Sequence, residues 1–118
     1  MPPDPPILVV DDDEDTRELY VTAFEAAGFS ARAAASIAEA RALIDEARPD
    51  VLIADYSLPD GTGAALLDLC ATARPRLCIL VTGFHEQKVA ASKFDLVLTK
   101  PVDFRKLVSL VRDRAPAP

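Results

Sequence analysis

The sequence predicts an α/β fold, a parallel sheet with helices on both faces. Short apolar runs recur along the chain, helical patterns fill the intervals between them, and the 118 residues suit one domain. The runs are ILVV (7–10), VLIA (51–54), LCILV (77–81) and LVL (96–98). Each is apolar throughout, as a strand is when both of its faces are covered.

The helices follow from spacing and punctuation. Between Glu14 and Ala27, Leu19, Ala23 and Ala27 with Tyr20 and Phe24 recur at i, i+4, and Gly28 supplies a stop. Ser36 and Glu39 form a capping box ahead of Ile37, Ala40, Ile44 and Ala47, and Pro49 ends that helix. GTGAALLDLCATARP reads as a third helix, begun after a glycine-rich turn and closed by Pro75. Asp103 can cap a last helix carrying Leu107, Leu110 and Val111. SARAA (30–34) sits between two helices and is the weakest strand candidate. Strands alternating with helices imply right-handed βαβ units, whose ligands bind at the carboxyl ends of the strands.

Composition narrows the partners. A formal charge of -6 and a pI near 4.6 speak against a basic footprint for nucleic acid or anionic lipid and favour a cation or a protein. The apolar runs are too short to cross a bilayer, and MPPDPP has neither the basic start nor the apolar stretch of a signal peptide, so a cytoplasmic, non-membrane protein is expected. Cys70 and Cys78 lack the spacing of a zinc ribbon or CxxC pair and read as buried, reduced thiols. Residues 1–118 read as one domain, with frayed tails at 1–6 and 115–118.

The chemistry lies at the strand ends. Under the predicted topology Asp11 and Asp12 end the first strand, Asp55 the third and Thr82 the fourth, while Lys100 follows the fifth. Clustered carboxylates repel one another unless a cation compensates, and an all-oxygen cluster suits Mg²⁺. A hydroxyl and an ammonium opposite those acids suit a phosphoryl group, and an Asp carboxylate can attack phosphorus. Asp55 is the natural nucleophile.

Four segments in order, ILVVDDDEDTRELY, PDVLIADYSLPDGTG, ILVTG and LTKPV, resemble the receiver domains of bacterial two-component response regulators. The resemblance implies a flavodoxin-like, five-stranded parallel sheet of order 2-1-3-4-5. It makes Asp55 the phosphoacceptor and a metal ligand, Asp12 a direct Mg²⁺ ligand, Asp11 a ligand through water, and the Ser57 backbone carbonyl a further ligand. Thr82 and Lys100 would contact the phosphoryl oxygens, and Pro101 would follow a cis peptide bond. Asp13 matches no ligand position and is assigned to the helix N-terminus.

The implied function is a signalling switch with modest self-catalysis. It would accept a phosphoryl group from a sensor histidine kinase or a histidine phosphotransfer protein and alter partner binding, with a fused or separate output domain. Ser57, Phe84 and His85 flank the expected site and are candidates for controlling water access. Arg17 and Tyr20, facing solvent beside the acid rim, are candidates for docking the donor.

Two departures stand out. Thr82 and Lys100 are 18 residues apart, fewer than in the commonest receivers, so the family's fourth helix is expected to be short or absent. Val97 stands where many receivers carry a switching aromatic. The alternative is therefore a receiver-like interaction module that is never phosphorylated. An EF-hand fails because Thr16 stands where glycine is needed and Thr22 where the bidentate Glu belongs. A haloacid dehalogenase-type phosphatase falters because Asp15 stands where that family wants Thr or Val.

Overall fold

Alternation along each central strand divides the molecule into two apolar layers, one on each side of the sheet. A computed structural model describes residues 7–70, 74–83 and 93–114. Its strands are β1 (Ile7–Val10), β2 (Ala31–Ala34), β3 (Val51–Asp55), the two-residue β4 (Ser57–Leu58) and β5 (Gly61–Thr62), β6 (Leu77–Thr82) and β7 (Leu96–Thr99). The helices are α1 (Glu14–Ala26), α2 (Ile37–Glu46), α3 (Gly63–Asp68) and α4 (Phe104–Arg114).

The main sheet is parallel, in the order β2-β1-β3-β6-β7. Counting its five strands along the chain, this is the expected 2-1-3-4-5. On one face Ile7, Val9, Ile53, Ile79 and Val81 meet Tyr20 and Phe24 of α1 and Leu107 and Val111 of α4. On the other, Leu8, Val10, Leu52, Ala54 and Leu80 meet Ala40 of α2 and Leu66 and Leu67 of α3. Both faces of β1, β3 and β6 are thus dry, which explains runs with no polar alternation. At the edge, β7 turns Leu96 and Leu98 toward the first layer and leaves Val97 and Thr99 exposed.

Local signals settle the helix boundaries. Asp13 caps α1, accepting hydrogen bonds from the Thr16 amide at 2.9 Å and the Thr16 hydroxyl at 2.5 Å, and Gly28 leaves the helix with φ of 94°. Ser36 accepts from the Glu39 amide at 3.1 Å, and the Glu39 carboxylate accepts from the Ala35 amide at 3.1 Å. Asp103 caps α4 through the Lys106 amide at 3.1 Å. Helix α3 stops at Asp68, with Leu69 and Cys70 bonding back in a tighter turn, rather than running on toward Pro75.

The apolar face of α1 is rotated from the expected one. Leu19 is 54% exposed, whereas Tyr20 is 1% exposed and Phe24 fully buried. The ring of Tyr20 meets Phe104 edge-on with centroids 5.0 Å apart, so it does not offer a solvent-facing docking surface. The expected tails at 1–6 and 115–118 and the shortened fourth helix, with Phe84 and His85, lie outside the described residues.

Candidate functional site at the strand ends

A parallel sheet directs the ends of its central strands to one rim, and there three polar side chains are buried against the apolar layers. Asp11, immediately after β1, is 3% exposed; Asp55, the last residue of β3, 6%; Thr82, the last of β6, 4%. Asp12 beside them is exposed. Lys100 follows β7, its amide donating to the Thr82 carbonyl at 2.8 Å, and its peptide bond to Pro101 is cis, as expected. The Lys100 ammonium donates to Asp55 Oδ2 at 3.0 Å. All five candidates thus converge on one rim.

The three acids are close enough to share an ion. Each of Asp11, Asp12 and Asp55 offers a carboxylate oxygen, and the three oxygens lie within 4.8 Å of one another. Opposite corners of a Mg²⁺ octahedron are about 4.2 Å apart, twice its metal–oxygen bond. The donor set, all oxygen and all anionic, therefore fits a hard divalent cation. Ser57 opens β4 directly beyond the acid strand and is exposed.

Electrostatics at the rim follow from burial and crowding. Burial pushes the Asp11 carboxyl above its ordinary value, a hydrogen bond donated by the Asp13 amide (2.9 Å) opposes this, and the neighbouring charges of Asp55 and Asp12 add to the rise. For Lys100, burial works against the ammonium, yet the hydrogen bond to Asp55 and the surrounding acids leave its pKa raised. Arg17, half-buried, is tied to the rim: its guanidinium donates to the Asp11 carbonyl at 3.0 Å.

The segment after Asp55 is held by residues that spacing did not single out. Strands β4 and β5 form a hairpin pairing Ser57 with Thr62 and Leu58 with Gly61. At its base the Gly63 amide donates to the Tyr56 carbonyl at 2.9 Å. A β-carbon on Gly63 would lie 2.7 Å from the Asp55 carbonyl oxygen, so only glycine fits. At its tip Asp60 accepts from the amides of Ile37 (2.9 Å) and Ala38 (3.1 Å) at the start of α2. The Asp60-Gly61 pair announces a turn, but no local rule reveals what its carboxylate reaches.

The sequence profile of the response regulator receiver domain matches residues 7–112. The chain belongs to this family. It is 34% identical over 110 residues to the response regulator protein PilR of Pseudomonas aeruginosa, covering 88% of this chain and 24% of that protein. An uncharacterised 14.6 kDa protein of Leptolyngbya boryana is also 34% identical, with 90% and 86% covered. Among solved structures, a CheY-like receiver domain protein from Methanospirillum hungatei superimposes with a TM-score of 0.84 at 30% identity, covering 92% of this chain and 91% of that one. This receiver domain thus spans about a quarter of the length of PilR. No helix among its described residues is long and apolar enough to cross a membrane.

Proposed function

We propose that this receiver domain takes a phosphoryl group onto Asp55 from the phosphohistidine of a sensor histidine kinase or a histidine phosphotransfer protein. Asp55 Oδ forms the new oxygen–phosphorus bond as the phosphorus–nitrogen bond breaks. The electron pair returns to the imidazole nitrogen, which takes up a proton. Asp11, Asp12, Asp55 and the Ser57 carbonyl hold Mg²⁺, which when bound neutralises charge on the phosphoryl oxygens. Lys100 exchanges its contact with Asp55 for one with a phosphoryl oxygen, and the Thr82 hydroxyl donates to another.

The observation that carries the reading is the setting of Asp55: a nearly buried carboxylate with two further acids close by and the Lys100 ammonium 3.0 Å away. An acid used only for packing gains nothing from two like charges beside it. Intact-mass analysis after incubation with acetyl phosphate tests the reading, with and without Mg²⁺, on the native chain and on Asp55→Asn. A Mg²⁺-dependent gain of one phosphoryl group, lost in the variant, is the expected result. No gain, with beryllofluoride also failing to bind, overturns the reading in favour of an interaction module that is not phosphorylated.

The phosphorylated state is read by a partner, either a fused or a separate output domain. Val97, at the position where an aromatic switch is common, is a short side chain 41% exposed on the edge strand. A rearrangement that follows phosphorylation is therefore not relayed by an aromatic ring at position 97.

A further inference from the structure

The hairpin that carries Ser57 is anchored at both ends, and the two anchors are of different kinds. Its base is closed within the segment, by the Gly63 amide on the Tyr56 carbonyl and by the close approach of Gly63 to the Asp55 backbone. Its tip is tied across 22 and 23 residues, through both carboxylate oxygens of Asp60, to the first two amides of α2. Those amides have no partner within their own helix, so the clamp satisfies donors that otherwise need water.

Two details tie this clamp to the tip itself. Gly61, beside Asp60, has φ of 151°, and a β-carbon there would lie 2.7 Å from Ile37 Cδ1. The tip therefore lies against the side chain whose amide Asp60 binds. Helix α2 also has its own cap, since Ser36 accepts from the Glu39 amide. Asp60 is thus not the sole support of this helix end, and its bidentate grip orders the hairpin as well as the helix.

We infer that Asp60 is a positioning residue for the cation site, holding the β4–β5 hairpin so that the Ser57 carbonyl is in place before a divalent cation binds. The inference rests on the metal-site reading above. A loop that is already ordered loses little freedom when its carbonyl becomes a ligand, whereas one freed at its tip is ordered at the expense of affinity. Coupling is reciprocal, so cation binding protects the Ile37 and Ala38 amides in turn.

The test compares Mg²⁺ dissociation constants by isothermal titration calorimetry at fixed ionic strength for the native chain, Asp60→Ala, Asp60→Asn and Ser36→Ala. Asp60→Ala is expected to weaken Mg²⁺ binding about tenfold, in the range of residues that orient metal ligands. Asp60→Asn loses the same charge but keeps one acceptor oxygen, and is expected to recover part of that loss. Ser36→Ala weakens the same helix end at a different amide, that of Glu39, and is expected to leave Mg²⁺ affinity unchanged.

Equal weakening in both Asp60 variants assigns the effect to charge and overturns the inference, as does native affinity in both. Should Asp60→Ala fail to fold, exchange of the Ile37 and Ala38 amides in the native chain decides: slower exchange with Mg²⁺ supports the clamp, and unchanged exchange overturns it. A native chain that binds no Mg²⁺ overturns the metal-site reading and the inference together. Native binding that is indifferent to Asp60 overturns the inference alone.

Discussion

Lys100 donates its ammonium to Asp55 Oδ2 at 3.0 Å, joining the ends of two strands that are not neighbours in the sheet. The Lys100 side chain is 43% exposed and that of Asp55 only 7%. Solvent screens the cation, so the pair contributes little to folding, within about 1 kcal/mol. Under the proposed phosphotransfer, its value lies in placing a donor where phosphoryl charge would develop. Lys100→Ala is expected to leave the urea midpoint nearly unchanged and to slow phosphotransfer about 10²-fold. A variant that transfers at the native rate would remove Lys100 from the chemistry.

Asp11 is expected to contribute a pH dependence to the free protein and, on the cation-site reading, a response to Mg²⁺. Its carboxyl is raised in the folded state, chiefly by burial, so the folded chain binds more protons than the unfolded one. Stability from this group is greatest below its ordinary pKa of 3.8 and falls as pH rises through that value to the folded one. At neutral pH without cation, Asp11→Asn should therefore be more stable than the native chain. The native chain should gain about 1.4 kcal/mol at Mg²⁺ ten times its dissociation constant, and the variant less. Thermal melts with and without Mg²⁺ read both differences, and an Asp11→Asn chain less stable than native without Mg²⁺ would contradict this electrostatic account.

Gly63 joins the hairpin to the acid strand by proximity. A methyl group there would meet the Asp55 carbonyl oxygen at 2.7 Å and Leu80 Cδ1 at 3.1 Å. Backbone cannot yield as a side-chain tip can, so Gly63→Ala is expected to cost about 1–3 kcal/mol. Because the clash falls on the Asp55 backbone, phosphorylation should also slow. Urea unfolding and acetyl phosphate labelling measure the two effects, and native behaviour in both would exclude the close approach.

Cys78 is held as an unreactive thiol. Burial pushes its pKa up to about 11 against the opposing pull of Arg74, whose guanidinium lies 3.1 Å from the sulfur. Alkylation at pH 8 should be slow in the native protein and rapid in urea. The unfolded thiol ionises first, near 9.0, so this group's contribution to stability is complete below that pH and is lost as pH rises toward 11. Fast native labelling of Cys78 would contradict its burial.

By itself the sequence determined the architecture and the rim. Continuous apolar runs mark strands covered on both faces, and a parallel sheet carries whatever follows those runs to the same edge. Asp11, Asp55, Thr82 and Lys100 could therefore be brought together from position alone, and Asp13, Ser36 and Asp103 cap their helices through bonds three residues long.

Tertiary structure decided what such periods and local bonds leave open. Leu19 and Tyr20 differ by only one step around the helix, and it is Tyr20 that is buried, in the layer between sheet and helices and against Phe104 of α4, 84 residues beyond it. Likewise Asp60 reads as a turn acid until α2 is folded against it. Its partners are set by how two βαβ units pack, and that information resides in neither segment taken singly.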